Sequence, residues 1–347
     1  MKILTYNLWH GLAPSSALTM EFLEPEARRR ARFAMQLKLL KGLNFDVGFF
    51  QEANPLLERS SQMQNELKMN SFFQSDLVGI KVLGIGLPPH LNSGLLTLGT
   101  PSLHLRKVEG FKLSGPQRSF VSPWVSFQLQ EERYALFCEL MHPDWGRVLM
   151  VNTHLHHGLE LTEEFEKELR QRARELELSG QVEAEIFDRL QKGNQRRLRE
   201  MKHLLGEVRR LEERYSVVIL GGDMNSRPDS EVAQLLREYG FKDSFEGQTQ
   251  FKELYTFDGE KNQANHKLQA RFPLSVKFED LSFSKKVTQS LKEILTGFEN
   301  SPRRIDQLWV KAKHKHFRTQ AELVGLEEDV GFAPSDHFGY MMDLEVY

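Results

Sequence analysis

The chain opens on Lys2-Ile3-Leu4-Thr5-Tyr6-Asn7-Leu8, a β-prone run that Asn7 interrupts near its far end. Short apolar runs closing on polar or acidic residues recur along the sequence. Phe45 to Phe50 reads as a buried strand ending at Gln51-Glu52, Val148 to Val151 leads into Asn152-Thr153-His154, and Val217 to Leu220 leads into Gly221-Gly222-Asp223. Arg304-Ile305-Asp306-Gln307-Leu308-Trp309-Val310 carries its acid inside the run, and Ser335-Asp336-His337 precedes a last strand from Tyr340 to Val346. Gly94 to Leu98 begins a further strand, while Trp124 to Leu129 and Tyr134 to Met141, flanking Glu131-Glu132, predict a hairpin. Leu77 to Leu91 is apolar, glycine-bearing and holds Pro88-Pro89, which suits a strand followed by a loop.

Helical spacing first shows between Glu24 and Lys41, where Ala31, Ala34, Met35 and Leu39 make a stripe and Gly42 supplies a stop. Asn54-Pro55 enforces a turn, and another helix follows it. Glu160 to Tyr215 is crowded with Glu, Arg and Lys and interrupted at Gly180 and Gly193, so it predicts two or three helices. Its basic residues Arg196, Arg197, Arg199 and Lys202 are mixed with Glu200 and Glu207, which favours an ion-paired, solvated helix face over a nucleic-acid grip. A helix begins after Arg227-Pro228 with Asp229 or Ser230 as its cap, and a short one is expected around Leu291 to Leu295. Gln248 to Asn300 is the least legible stretch, with Asp258 to Asn265 loop-like. With no repeat and no clean linker, the expectation is one α/β domain over 1–347 carrying a charged helical insertion at about 160–215.

Composition narrows the function. Hydrophobic residues at 40% and charged residues at 27% give a full-sized core, which excludes a disordered chain. The net charge of -2 supplies no global basic field, so a polyanion would have to be held locally. Cys138, the single cysteine, rules out an internal disulfide and reads as a packed thiol in a strand. Polar residues arrive before a signal-peptide core could form, and no stretch reaches the ~20 apolar residues a membrane helix needs. A cytoplasmic protein without an integral membrane segment is therefore expected.

Polar groups inside hydrophobic strands cost stability unless they are paired or bind something, so strand ends facing one cleft explain them best. In an extended backbone Asp223 and Asn225 point the same way, one toward an attacking water and the other toward a phosphoryl oxygen. Gly221 and Gly222 allow a substrate or another backbone to approach closely. Glu52, with Asn7 and Asp336, offers the hard oxygen ligands that Mg²⁺ or Mn²⁺ prefers, whereas the clustered His and Cys of a zinc site are missing. His337 can place a proton or stabilise charge on phosphorus, with Asp306 orienting its imidazole.

Thr5-Tyr6-Asn7-Leu8-Trp9, Phe50-Gln51-Glu52, Ser93-Gly94-Leu95-Leu96, Asn152-Thr153-His154-Leu155, Gly222-Asp223-Met224-Asn225-Ser226, Arg304-Ile305-Asp306 and Ser335-Asp336-His337-Phe338-Gly339 span nearly the whole chain. In that order they resemble the motifs of the endonuclease/exonuclease/phosphatase superfamily, which includes pancreatic-type deoxyribonucleases, apurinic endonucleases, neutral sphingomyelinases, deadenylases and inositol-phosphate phosphatases. The resemblance implies a four-layer α/β/β/α sandwich of two mixed β-sheets flanked by helices, a cleft at one edge, and direct attack of water on phosphorus. It implies that Glu52 is the principal metal ligand with Asn7 nearby, that Asp223 aligns or deprotonates the water, and that Asn225 holds a phosphoryl oxygen. His337 would pair with Asp306 and stabilise the transition state, and His154 would be a second phosphate-facing imidazole.

Departures from the family narrow the subclass. Apurinic endonucleases usually carry Tyr where His154 falls. Deoxyribonucleases pair the equivalent His with a glutamate from a neighbouring strand, and no acid stands near Gln117 to Phe120. Gly99-Thr100 replaces a frequent Ser-Arg, while Arg227-Pro228-Asp229-Ser230-Glu231 looks like the deadenylase and general phosphodiesterase motif. The leading expectation is metal-dependent hydrolysis of a phosphodiester, nuclease-like, with nucleic acid as a candidate partner. The alternatives are a phospholipase C-type sphingomyelinase, suggested by the apolar Leu77 to Leu91 segment next to Asn92 and by His154, or a phosphatase. A non-catalytic binding module would predict gaps in the catalytic set, and the main positions are all filled.

Overall fold

The computed structural model describes residues 1–14, 20–22, 24–77, 80–82, 85–86, 92–115, 120–121, 125–127, 132–246, 254–259, 285–313, 316–325 and 333–347. Two mixed sheets of six strands each dominate it. In chain order their strands are β1 (Lys2–Asn7), β2 (Val47–Ala53), β3 (Asn70–Leu77), β4 (Ser93–Gly99), β5 (Arg106–Ser114), β6 (Arg133–His142), β7 (Gly146–His154), β8 (Val217–Asp223), β9 (Lys242–Asp243), β10 (Asp306–Ala312), β11 (Phe317–Val324) and β12 (Gly339–Val346). The first sheet runs β11-β12-β1-β2-β4-β3 and the second β9-β10-β8-β7-β6-β5. The helices are α1 (Glu26–Gly42), α2 (Leu56–Leu67), α3 (Glu163–Glu175), α4 (Gly180–Leu211), α5 (Glu231–Glu238) and α6 (Lys285–Asn300).

Strands buried on both faces produce the four layers. Ile3, Val47, Phe49 and Leu95 face Leu136, Met150, Ile219 and Leu308 across the space between the sheets. The alternate residues Leu4, Tyr6, Phe50 and Leu96 turn outward onto Phe33 and Leu40 of α1 and Leu56 and Met63 of α2. On the far side Phe137, Val151, Leu220 and Trp309 meet Met201, Leu204, Leu205 and Val208 of α4 and Val232 and Leu236 of α5. The sandwich is the one the motifs imply. Cys138 lies free and buried in it, and burial pushes its thiol up to about 12.

Several local expectations change, each for a physical reason. The buried face of α1 is Arg32, Phe33, Gln36 and Leu40 rather than the Ala31, Ala34, Met35, Leu39 stripe. Arg32 Nη1 donates to Leu8 O at 2.7 Å, and Gln36 Nε2 donates to Leu8 O at 2.9 Å and Pro334 O at 2.7 Å, so satisfied polar side chains face inward. Gly193 does not break its helix: α4 runs 32 residues from a Ser179 cap, with Gly180 as its first residue. Among the described residues the expected hairpin is not formed: Val125–Phe127 pairs with Ile80–Val82 and Phe120–Val121, whereas β6 pairs with β5 and β7. The short helix around Leu291 extends through all of α6, whose Leu291, Ile294 and Leu295 form a small core with Phe165 of α3 and Ile186 and Leu190 of α4. Residues 78–79, 83–84 and 87–91 of the apolar run and 260–265 of the loop-like stretch lie outside the described residues. No described helix is long and apolar enough to cross a membrane.

Candidate active site

Register brings the polar strand ends to one edge. β1 and β2 are parallel with Asn7 opposite Gln51, β7 and β8 are parallel with His154 opposite Asp223, and antiparallel β10 sets Asp306 opposite Asp223. Parallel neighbours require crossover connections, here through α1 and through α3 and α4, so their carboxyl ends emerge together.

Asn7 is the hinge pin between the sheets. Its Nδ2 donates to Glu52 Oε1 at 3.2 Å and to Asp223 Oδ2 at 3.1 Å, while its Oδ1 accepts from Trp9 N at 2.9 Å. Glu52 reaches this position because β2 loses register with β4 between Phe50 and Ala53, and Glu52 itself takes a left-handed φ of 57°. Trp9 and Asn225 share that conformation, with φ of 56° and 47°, so three non-glycine residues hold strained backbone around one cleft. Gly222 is required for a different reason. A Cβ there would lie 1.9 Å from Thr153 O, so the close approach that the glycines permit is that of the neighbouring strand.

Asp223 is 1% exposed; its Oδ1 accepts from Asn225 N at 2.8 Å. The positive φ of Asn225 replaces the extended geometry expected of the pair, and its Nδ2 donates to Leu155 O at 3.0 Å. Burial and the neighbouring Asp306 push the Asp223 carboxyl up to about 7, against the opposing pull of His337 and the Asn225 and Asn7 amides. His337 Nδ1 donates to Asp306 Oδ2 at 2.7 Å, and its Nε2 lies 3.9 Å from Asp223 Oδ2. Burial disfavours charge on this imidazole, but Asp306, Asp336 and Asp223 together raise it to about 10, so it is a cation at neutral pH.

His154 faces the same carboxylates from the other side, its Nε2 3.5 Å from Asp223 Oδ2 and 3.9 Å from Glu52 Oε1. Burial and the adjacent Arg133 guanidinium hold it well below the usual histidine range, so it stays neutral. Burial opposes ionisation of Glu52 as well, yet the charge of His10, the His10 N–H at 2.9 Å and the Asn7 amide keep its carboxyl well below the usual range.

Six expected residues therefore share one network: Asn7, Glu52, His154, Asp223, Asp306 and His337. Asn225 joins it through Asp223, and Asp336 acts through its charge on His337. Ser335, between Asn7 and His337, donates to Asn7 O at 2.6 Å and accepts from His337 N at 3.2 Å.

Other contributors escaped sequence reasoning. Arg133 Nη1 donates to His154 Nδ1 at 2.9 Å, while the side chains of Gln117 to Phe120 lie outside the described residues. Thr256 Oγ1 accepts from Ile305 N at 3.0 Å and Asp306 N at 2.9 Å, and the Phe257 ring meets His337 edge-on at 5.3 Å. Both come from the least legible stretch. Gln51 Nε2 donates to Asn152 Oδ1 at 2.8 Å across the sheets, a pair that two polar residues in apolar strands could have signalled.

The donor set suits a hard divalent cation. Asp223, Asp306 and His337 converge within 4.8 Å of one another, the two carboxylates as ligand atoms and the imidazole as one only after it gives up a proton. Asp306 Oδ1 is buried without a hydrogen-bond partner, and Asp223 is forced toward its neutral form, so the cleft carries more acid than its own donors satisfy. In the orientation seen, Asn7 presents Nδ2 to Glu52 and Asp223 and Oδ1 to Trp9 N.

No model of a known protein family matches the chain, and no curated protein matches it in sequence. Solved structures match its fold end to end. The endonuclease/exonuclease/phosphatase from Bacteroides vulgatus shares 13% identity at a TM-score of 0.57, covering 100% of this chain and 98% of that one. An endonuclease/exonuclease/phosphatase family protein from Bacteroides thetaiotaomicron shares 16% at 0.55, covering 100% and 97%. D. rerio TDP2 complexed with a single-strand DNA product shares 15% at 0.53, covering 99% and 98%.

Proposed function

We propose that this chain, which has the fold of the endonuclease/exonuclease/phosphatase proteins, is a divalent-metal-dependent phosphodiesterase acting by direct attack of water on phosphorus. The observation that carries the reading is Asp223, whose carboxylate is bonded by Asn7 and flanked by two imidazoles of different charge. With a proton affinity near neutrality, Asp223 is suited to align the water and accept its proton. His337, kept cationic by Asp306, stabilises the charge that grows on the phosphoryl group, and Asn225, bonded to Asp223 through its backbone N–H, holds a phosphoryl oxygen with its side chain. Glu52, ionised and oriented by Asn7 and His10, is the principal ligand for Mg²⁺ or Mn²⁺; the Asn7 carbonyl, Asp336 and the unpartnered Oδ1 of Asp306 are its candidate companions. The bound cation supplies Lewis acidity to the phosphoryl oxygens.

Electrostatics favour a diester. A cleft with Glu52, Asp223 and Asp306 admits a singly charged diester more readily than a doubly charged monoester. TDP2 in complex with a DNA product makes nucleic acid the first substrate class to examine. Half of the basic run of α4 is already committed within the protein. Arg196 is bound to Ser114 and Glu200, and buried Arg197 to backbone carbonyls.

The test is turnover of bis(p-nitrophenyl) phosphate, p-nitrophenyl phosphate, single-stranded and duplex DNA, RNA, sphingomyelin and inositol phosphates with Mg²⁺, Mn²⁺ or EDTA. Diester hydrolysis that EDTA abolishes, and that Asp223→Asn abolishes without loss of fold, is expected. Hydrolysis confined to monoesters would replace the reading with a phosphatase, and inertness on every substrate would leave a binding module.

A further inference from the structure

Arg133 is a buried cation bonded to two imidazoles. It begins β6, one strand away from β7, and is 1% exposed. Nη1 donates to His154 Nδ1 at 2.9 Å and Nη2 donates to His157 Nδ1 at 3.1 Å. A guanidinium has only donors and keeps its charge at any working pH. Both Nδ1 atoms must therefore present lone pairs, and each neutral ring carries its proton on Nε2.

For His154 that proton points into the cleft. Nε2 lies 3.5 Å from Asp223 Oδ2 and 3.9 Å from Glu52 Oε1, between the two carboxylates and without a short hydrogen bond to either. His337 is set the opposite way, with Nδ1–H bonded to Asp306. One imidazole thus has a carboxylate behind it and the other a guanidinium. A proton on His154 Nδ1 would face the Arg133 N–H at hydrogen-bond distance, donor against donor.

We propose that Arg133 is a positioning residue that fixes His154 as a neutral Nε2–H donor to a phosphoryl oxygen, so that His154 stabilises charge and transfers no proton during turnover. The inference deepens the phosphodiesterase reading and rests on it for the identity of the acceptor. It divides the labour between the two imidazoles by what stands behind each ring.

The test is ¹H–¹⁵N spectroscopy of the histidine rings in uniformly ¹⁵N-labelled protein, with His154 signals assigned by their loss in His154→Gln. The expected spectrum is Nε2-protonated and Nδ1-bare in the wild type, with the Nε2–H signal moving when inorganic phosphate is added in the presence of Mg²⁺. Arg133→Met is expected to mix the tautomers and lower kcat about 10- to 100-fold, the usual effect of losing a residue that orients a ligand side chain, with KM within about twofold. Arg133→Lys retains one donor and is expected to recover part of both the tautomer and kcat; should Arg133→Met not fold, the wild-type and Arg133→Lys spectra decide. A wild-type ring protonated on Nδ1, a tautomer untouched in both variants, or an Nε2–H signal blind to phosphate overturns the proposal. The ring tautomers need no turnover to be read, so a wild type inert on every phosphoester defeats the function proposed above while the spectra still judge Arg133.

Discussion

Asp306 Oδ2 accepts a 2.7 Å hydrogen bond from His337 Nδ1, and that contact favours a cationic imidazole at the edge of the cleft. It leaves His337 Nε2 turned toward Asp223 and makes the ring the cation that faces the carboxylate expected to handle water. Asp306→Asn keeps the shape and removes the charge. With the two N–H groups bonded to Thr256 Oγ1 unaffected, the backbone at Asp306 should stay in place. The expected result is a kcat lower by about 10²- to 10⁴-fold with a far-UV spectrum like the wild type, the scale of losing an acid–base partner. Steady-state kinetics on a diester, against Asp223→Asn in parallel, make the measurement.

The same pair gives stability a direction with pH. The folded value for His337, about 10, lies above the 6.5 of the unfolded chain. Its contribution is therefore full below pH 6.5, declines as pH rises, and is gone once pH passes about 10. Asp223, raised to about 7 from 3.8, adds a loss in the same direction over the lower window. Thermal melts in EDTA should show Tm falling from pH 7 to pH 10, and His337→Gln should flatten that slope. A variant slope equal to the wild type would remove His337 as its source.

How much of this could be read from the sequence follows from where each residue's partner lies in the chain. Asn7, Glu52, His154, Asp223 and Asp306 were legible because each interrupts or ends an apolar run, and a buried polar group needs a partner. Arg133 was not, because it stands beside Glu132 near an anticipated turn, and only the pairing of β6 with β7 brings it to His154. The buried face of α1 was misassigned for a related reason. Arg32 and Gln36 look like solvent residues until the Leu8 and Pro334 carbonyls they satisfy are in place. Gly193 read as a break, yet flanking apolar contacts carried α4 straight through it.

Gly222 shows where the site depends on backbone alone. Its φ of 133° and the 1.9 Å approach of a hypothetical Cβ to Thr153 O leave no room for a methyl group. Since Gly222 and Thr153 are register partners one residue before Asp223 and His154, strain there is transmitted straight to the two side chains. Gly222→Ala should cost about 1–3 kcal/mol in backbone strain, before any displacement of β7 is counted. Chemical denaturation measures the loss, and a midpoint unchanged from the wild type would show that β7 moves aside freely.

The loop after His154 is held from behind by α4, which gives the charged helical segment a second task besides packing. Arg197, 1% exposed, donates to Gly158 O at 2.9 Å and Leu159 O at 3.3 Å, while Glu200 Oε2 accepts from His156 N at 2.7 Å. Both belong to the half of α4 beyond Lys192, so a deletion of residues 160–192 would spare them and is expected to change substrate preference more than chemistry. Arg197→Met should act in the opposite sense. It strands buried carbonyls at about 1–3 kcal/mol apiece and frees the loop that carries His156 and His157, the second imidazole on Arg133. A lower Tm together with faster amide exchange at Gly158 and Leu159 is expected; exchange at wild-type rates would mean that β7 alone fixes the loop and that α4 merely packs against it.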